Sequence, residues 1–224
     1  MIAGIVIVTL GLIVHFLAEA KAAHGLAAGA KIAASAGFVL AAILEGAPHT
    51  LIGQALLIAL IWAALGDALL IPRDNRQAFL FGMAAFAFAH LGYAFVFHLR
   101  GVDAAGLAVG AALAGGAGIA FFLWLLPKLR VRARGMVGPV FGYVLVITIM
   151  VAMAVGGMWR ELADGWLGLV AAVVFWLSDV TVAMVRFADG RRIWRLVGLP
   201  LYYGAQLLFV ATLPPRVASS RGRK

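Results

Sequence analysis

The chain has 224 residues, 65% of them hydrophobic and only 12% charged, with a mean hydropathy of +1.06. A soluble domain carries about a quarter charged residues to cover its surface, so this composition excludes an ordinary soluble enzyme or binding module. The formal charge of +9 would suggest nucleic acid on a soluble fold, but the Lys and Arg residues lie in short loops and at the C-terminus (Arg221, Arg223, Lys224), where they suit anionic headgroups and topology control.

A bilayer core about 30 Å thick takes roughly 20 apolar residues per helix, and eight such segments follow one another. They are Ile2–Ala18, Leu26–Leu44, Leu51–Ile71, Ala78–His98, Ala104–Leu126, Val137–Val155, Trp166–Phe187 and Leu196–Leu213. Ala18-Glu19-Ala20 imitates a signal-peptidase site, but no Lys or Arg precedes the first apolar run. That run reads as a transmembrane helix rather than a leader. Backbone amides cannot face lipid unpaired, so helix is the expected conformation throughout. The reading is an all-α polytopic membrane protein, a single transmembrane domain over 1–215 with a basic tail at 216–224. The loops after segments 1, 3, 5 and 7 carry ten Lys and Arg between Lys21 and Arg195, whereas the opposite side has only Arg100 and Arg160. The positive-inside rule then places the odd-numbered loops in the cytoplasm of a bacterial inner membrane, although the basic tail opposes this orientation. The 27 glycines suit close helix packing. Zero cysteines exclude disulfides, thiolate metal sites and a cysteine nucleophile.

Ionisable groups inside a span are costly and mark function by default. Counted from the basic side at about 1.5 Å per residue, Lys31, Asp67, Tyr143, Asp179 and Tyr202 lie roughly 6 to 13 Å inside their helices, with His90 and Gln206 at about 15 to 18 Å. Six helices thus place polar groups in one half of the bilayer. Plainer roles compete at each position. Lys31 could snorkel, Asp67 could cap its helix or pair with Arg73, His90 could be a hydrogen-bonded core residue, and Tyr143, Tyr202 and Tyr203 could form an interfacial belt. His15 and Glu19, near a helix end, are given no role. Asp67 and Asp179 are 112 residues apart, half the chain, and the same offset takes Lys31 to Tyr143 and His90 to Tyr202. This suggests a 4+4 parallel internal repeat.

At these residues the chain resembles the YhhN family of membrane proteins, whose animal members are lysoplasmalogenases. The resemblance rests on the Lys31 helix, Leu65-Gly66-Asp67-Ala68-Leu69-Leu70, Gly82…Phe86…His90-Leu91-Gly92-Tyr93, Phe175…Ser178-Asp179…Ala183…Phe187 and Tyr202-Tyr203-Gly204-Ala205-Gln206. Ile32-Ala33 departs from the proline-containing stretch expected after Lys31. The resemblance implies hydrolysis of the vinyl ether of a lysoplasmalogen, giving a fatty aldehyde and glycerophospho-choline or -ethanolamine. Such a reaction needs a protonated acid, a carboxylate and limited water, with no cofactor or metal. Two buried carboxyls supply this, because burial and mutual repulsion separate their roles.

Asp67 and Asp179 are therefore the expected catalytic pair. Lys31 would bind phosphate or tune the carboxylates, while His90, Tyr143, Tyr202 and Gln206 orient water and the glycerol hydroxyl. Tyr93, Ser178 and Tyr203 complete the expected substrate site. The partners are a lysophospholipid substrate and membrane lipid, without nucleic acid and with the oligomeric state open. Two rivals remain. A metal-dependent hydrolase needs about three ligands on facing helices. A proton-coupled transporter of a lipid or small molecule would suit the paired Asp residues and the apparent repeat.

Overall fold

The computed structural model describes residues 1–160 and 165–214; the basic tail at 216–224 lies outside the described residues. Among these, eight α-helices occur: α1 (Ile2–Ala20), α2 (His24–Leu44), α3 (Leu51–Leu69), α4 (Arg76–Arg100), α5 (Ala104–Arg132), α6 (Val137–Arg160), α7 (Gly165–Phe187) and α8 (Arg192–Ala211). Short 3₁₀ turns precede α3 at Ala47–His49 and α6 at Arg134–Met136. All eight helices are long and apolar enough to cross a membrane. Large apolar side chains are exposed along them, among them Leu10 at 56%, Phe81 at 65% and Leu113 at 67%. Such a surface is a liability in water and the proper one against lipid. The chain is an integral membrane protein.

The termini of three helices differ from the sequence expectation by four residues or more. Pro127, just beyond the expected segment end at Leu126, lies inside α5, which continues to Arg132. Proline removes one amide and is tolerated in membrane helices where packing holds the turn. Here Leu125 and Leu129 flank Pro127 and are fully buried in a cluster with Met136, Val140 and Phe187. Helix α8 starts at Arg192 rather than Leu196, behind a turn in which Asp189 accepts hydrogen bonds from the Arg191 backbone and the Trp194 indole. Helix α6 runs five residues past Val155, and its Gly156 carbonyl accepts from the Asp103 amide at the start of α5.

Adjacent helices pack most extensively as the hairpins α1–α2, α3–α4, α5–α6 and α7–α8, and α4, α6, α7, α8 and α2 join these hairpins. Small residues set the approach. A Cβ at Gly11 of α1 would stand 2.9 Å from the Ala34 methyl of α2, and one at Gly110 of α5 would stand 2.8 Å from the Ala152 carbonyl of α6. Side chains this small let helix backbones meet where lipid offers no hydrophobic driving force.

The odd-numbered junctions lie on one face. Arg73 after α3 pairs with Glu19 at the end of α1, Arg186 at the end of α7 donates to the Arg73 carbonyl at 2.7 Å, and Arg132 at the end of α5 donates to the Ala188 carbonyl. The basic loops are thus joined by contacts as well as by composition.

Candidate active site

Asp67 ends the buried face of α3. One turn earlier Ala63 turns its carbonyl to α8, where it accepts from Tyr202 at 2.9 Å. Gly66, beside Asp67, lets α4 approach, since a Cβ there would meet the Phe86 ring at 2.9 Å. The Asp67 carboxyl, 5% exposed, is held from two helices. Lys31 Nζ of α2 lies 2.8 Å from Oδ1 and also donates to the Asp67 backbone carbonyl at 3.0 Å. Ser35, one turn along α2, donates to Oδ2 at 2.8 Å, and Tyr203 of α8 donates to the same oxygen at 2.7 Å. Three donors, one of them cationic, converge on this carboxyl group. Arg73, the other cation within sequence reach of Asp67, pairs with Glu19 instead.

Asp179 sits on α7 with a different set of neighbours. Tyr143 of α6 donates to Oδ1 at 3.1 Å. His90 of α4, fully buried, has Nε2 3.0 Å from Oδ2. The other His90 nitrogen lies 2.6 Å from the Phe86 carbonyl. A carbonyl only accepts, so Nδ1 carries a proton. Nε2 of the ring then faces a carboxyl oxygen of Asp179 at a distance over which a proton can pass. The two atoms are within ion-pair distance without hydrogen-bond alignment, and neither has another partner among the described residues. Catalytic contacts are often this loose before substrate binds. His90 stacks on Phe175 at 4.3 Å and meets Tyr143 edge-on at 5.5 Å, so its ring is held on both sides.

The two carboxyls do not bond to each other among the described residues, but they line one cavity of about 460 Å³ with Lys31, Tyr143, Ser178 and Tyr202. This volume lies in the range of small-molecule sites. Much of its wall is apolar, including Phe121, Val144, Ile147, Trp176 and Val180.

Tyr203, Tyr93 and Gln206 do not line this cavity, whereas Ser178 does. Tyr203 supports Asp67, Tyr93 donates to Gln206 Oε1 and stacks on Phe209 at 3.8 Å, and Ser178 donates to the Phe175 carbonyl at 2.8 Å. Two side chains at the site carry no such signal in the sequence reading. Ser35 is the only hydroxyl on its face of α2 one turn from Lys31, a spacing that brings residues i and i+4 together. His15 also lines the cavity and is bonded to the Ala27 carbonyl at 2.8 Å; nothing in its position near a helix end signals this. Among the described residues no three His, Cys, Asp or Glu side chains converge as a metal-ligand set.

An eight-helix membrane bundle thus walls two separately held carboxyls into one cavity. The YhhN family matches residues 26–213, and the chain belongs to that family. Similar curated proteins include lysoplasmalogenase TMEM86B of Mus musculus, 36% identical over 152 residues, or 68% of this chain and 60% of the mouse protein. TMEM86B of Homo sapiens is 38% identical over 150 residues, covering 67% of this chain and 59% of the human one. Human lysoplasmalogenase TMEM86A is 32% identical over 159 residues, 67% and 61% of the two chains. The alignments thus span about 60% of the length of these relatives. No solved structure matches the chain.

Proposed function

We propose that the protein hydrolyses the vinyl ether bond of a lysoplasmalogen, releasing a fatty aldehyde and glycerophospho-choline or -ethanolamine. The observation that carries this reading is the pair of differently held carboxyls on one cavity, Asp67 with Lys31 and Asp179 with His90. The names of the relatives point the same way.

Vinyl ether hydrolysis begins with protonation of carbon. Asp179, sharing its proton with His90, is the acid: the proton passes to the β-carbon and the C=C π pair forms the new C–H bond. The α-carbon becomes an oxocarbenium ion. The Asp67 carboxylate supplies fixed negative charge near this cation, and Lys31, Ser35 and Tyr203 hold it in place. Water adds to the α-carbon and returns a proton to the Asp179–His90 pair. The hemiacetal then collapses, moving its hydroxyl proton to the glycerol oxygen as the C–O bond breaks. One water is consumed and the acid is regenerated. Tyr143 holds Asp179 in line, and the apolar wall limits water to what the reaction uses. Tyr202 and Ser178 border the space left for the glycerol.

The wider setting is part of the same proposal. The substrate enters from membrane lipid, the membrane is a bacterial inner membrane, and the basic odd-numbered loops face the cytoplasm. The repeat of two parallel four-helix halves is supported by Lys31–Asp67 and Tyr143–Asp179, contacts that share the sequence separation of 36 and are offset by 112.

The test is mass spectrometry of lysoplasmalogen incubated with detergent-purified protein beside Asp67→Asn and Asp179→Asn. Aldehyde release by the parent and its loss in both variants supports the hydrolase. A folded parent that releases no aldehyde overturns it.

A further inference from the structure

The cavity does not end at the carboxyls. It continues to the basic face, where Arg73, Arg186 and Arg195 line its mouth. Arg186 lies seven residues beyond Asp179 on α7, and Arg195 seven residues before Tyr202 on the antiparallel α8. Each offset is about 10 Å along the helix axis.

These three guanidinium groups are compensated unequally. Arg73 is ion-paired to Glu19. Arg186 donates to the Arg73 carbonyl and lies over the Phe79 ring at 4.8 Å, with no carboxylate partner among the described residues. Arg195 keeps a buried Nε that has no hydrogen-bond partner among the described residues. Burial and the charge of Arg195 hold Arg73 below the usual arginine range, which marks the two cations as mutually repulsive neighbours. Among the described residues, Glu19 and Asp74 are acidic groups at this mouth, Glu19 is already engaged, and nearby Asp189 is bonded to Arg191 and Trp194. Convergent cations with open donors are relieved by an anion between them. Lys31, the sequence-level candidate for binding phosphate, is committed to Asp67 through both of its contacts.

We propose that Arg186 and Arg195 grip the phosphodiester of a single-chain glycerophospholipid whose reacting bond lies beside Asp67 and Asp179. This rests on the function proposed above, which sets the reacting end of the substrate. From the ether oxygen to phosphorus there are five bonds, spanning about 6 Å at covalent lengths near 1.5 Å. An arginine side chain reaching inward from each helix covers the rest of the offset. The headgroup then stays at the basic face and the alkenyl chain lies along the apolar wall, so the two ends of one lipid locate its vinyl ether between the carboxyls. Arg186 and Arg195 are positioning residues in this arrangement.

Binding of two non-cleavable lipids with the same chain tests it, read by fluorescence of the cavity residues Trp176 and Trp194. One is a 1-O-alkyl-glycero-3-phosphocholine; the other is the 1-O-alkylglycerol without phosphate. The parent is expected to bind the phospholipid about ten- to a hundredfold more tightly, the worth of a charge-assisted hydrogen bond. Arg186→Gln and Arg195→Gln each lose most of that preference while keeping alkylglycerol affinity, which also reports that they are folded; Arg195→Lys recovers part of it. Inorganic phosphate displaces the phospholipid and leaves alkylglycerol bound. Equal affinity of the parent for both lipids, or an undiminished preference in both Gln variants, overturns the proposal. Phosphate binding without discrimination between the lipids also overturns it, because the site then serves a free anion. Neither lipid carries a vinyl ether, so a failure of the hydrolase reading leaves this result readable.

Discussion

His90 Nε2 lies 3.0 Å from Asp179 Oδ2 while Nδ1 of the same ring is bonded to the Phe86 carbonyl at 2.6 Å. The backbone contact orients the ring, and in the proposed reaction Asp179 delivers one proton with His90 beside it. In Asp179→Asn that proton is absent, and in His90→Gln its partner is lost. Each change is expected to lower the rate of aldehyde release by about 10²- to 10⁴-fold, the usual weight of a general acid. Steady-state kinetics on lysoplasmalogen checks this, and a rate within a few-fold of the parent in Asp179→Asn would exclude it as the acid.

Lys31 and Asp67 are 12% and 5% exposed. Removing one partner leaves the other as an uncompensated charge, so Lys31→Met is expected to cost about 3–5 kcal/mol of stability. Lys31→Met with Asp67→Asn removes both charges and is expected to recover a large part of that loss. Thermal unfolding in detergent of the two singles and the double measures the coupling. Additive effects would mean that the pair contributes no mutual stabilisation.

Gly110 and Gly116 lie on the same helix, α5, in opposite circumstances. A Cβ at Gly110 meets the Ala152 backbone at 2.8 Å, whereas one at Gly116 finds nothing within 4 Å. Gly110→Ala should destabilise by about 1–3 kcal/mol through overpacking. Gly116→Ala should be neutral or stabilise by up to about 1 kcal/mol, since alanine loses less backbone entropy in a helix. Equal melting temperatures for the two variants would contradict the α5–α6 packing described above.

Val144 lines the apolar part of the cavity beside Ile147 and Trp176. Val144→Phe narrows the space assigned to the alkenyl chain. The expected outcome is a KM raised roughly tenfold for long-chain substrate, as a misfit in a hydrophobic pocket usually costs, and a smaller change for a short-chain one. A series of chain lengths assayed on parent and variant reads this directly; an unchanged profile would place the chain elsewhere.

Much of the architecture is legible in the linear chain. All eight spans appear there, because an apolar run of that length must satisfy its own backbone in lipid. Their ends are less legible: Pro127 reads as a helix stop, and only the burial of Leu125 and Leu129 explains why α5 passes through it. The candidate site is partly legible. Constant helical rise puts Lys31, Asp67, Tyr143 and Asp179 at a common depth, but depth says nothing of which way each side chain faces. Ser35 and His15 do not stand out in the sequence because a hydroxyl or imidazole near other helices acquires meaning only from its neighbours.

Sequence alone therefore determined the class of protein and the level in the membrane at which polar groups gather, since span length and rise per residue are properties of a single helix. The tertiary structure decided the partnerships. Lys31 goes to Asp67, His90 and Tyr143 go to Asp179, and Arg73 goes to Glu19. Those choices depend on how each helix is rotated and how closely it approaches the next, which is set by small-residue contacts between segments far apart in the chain.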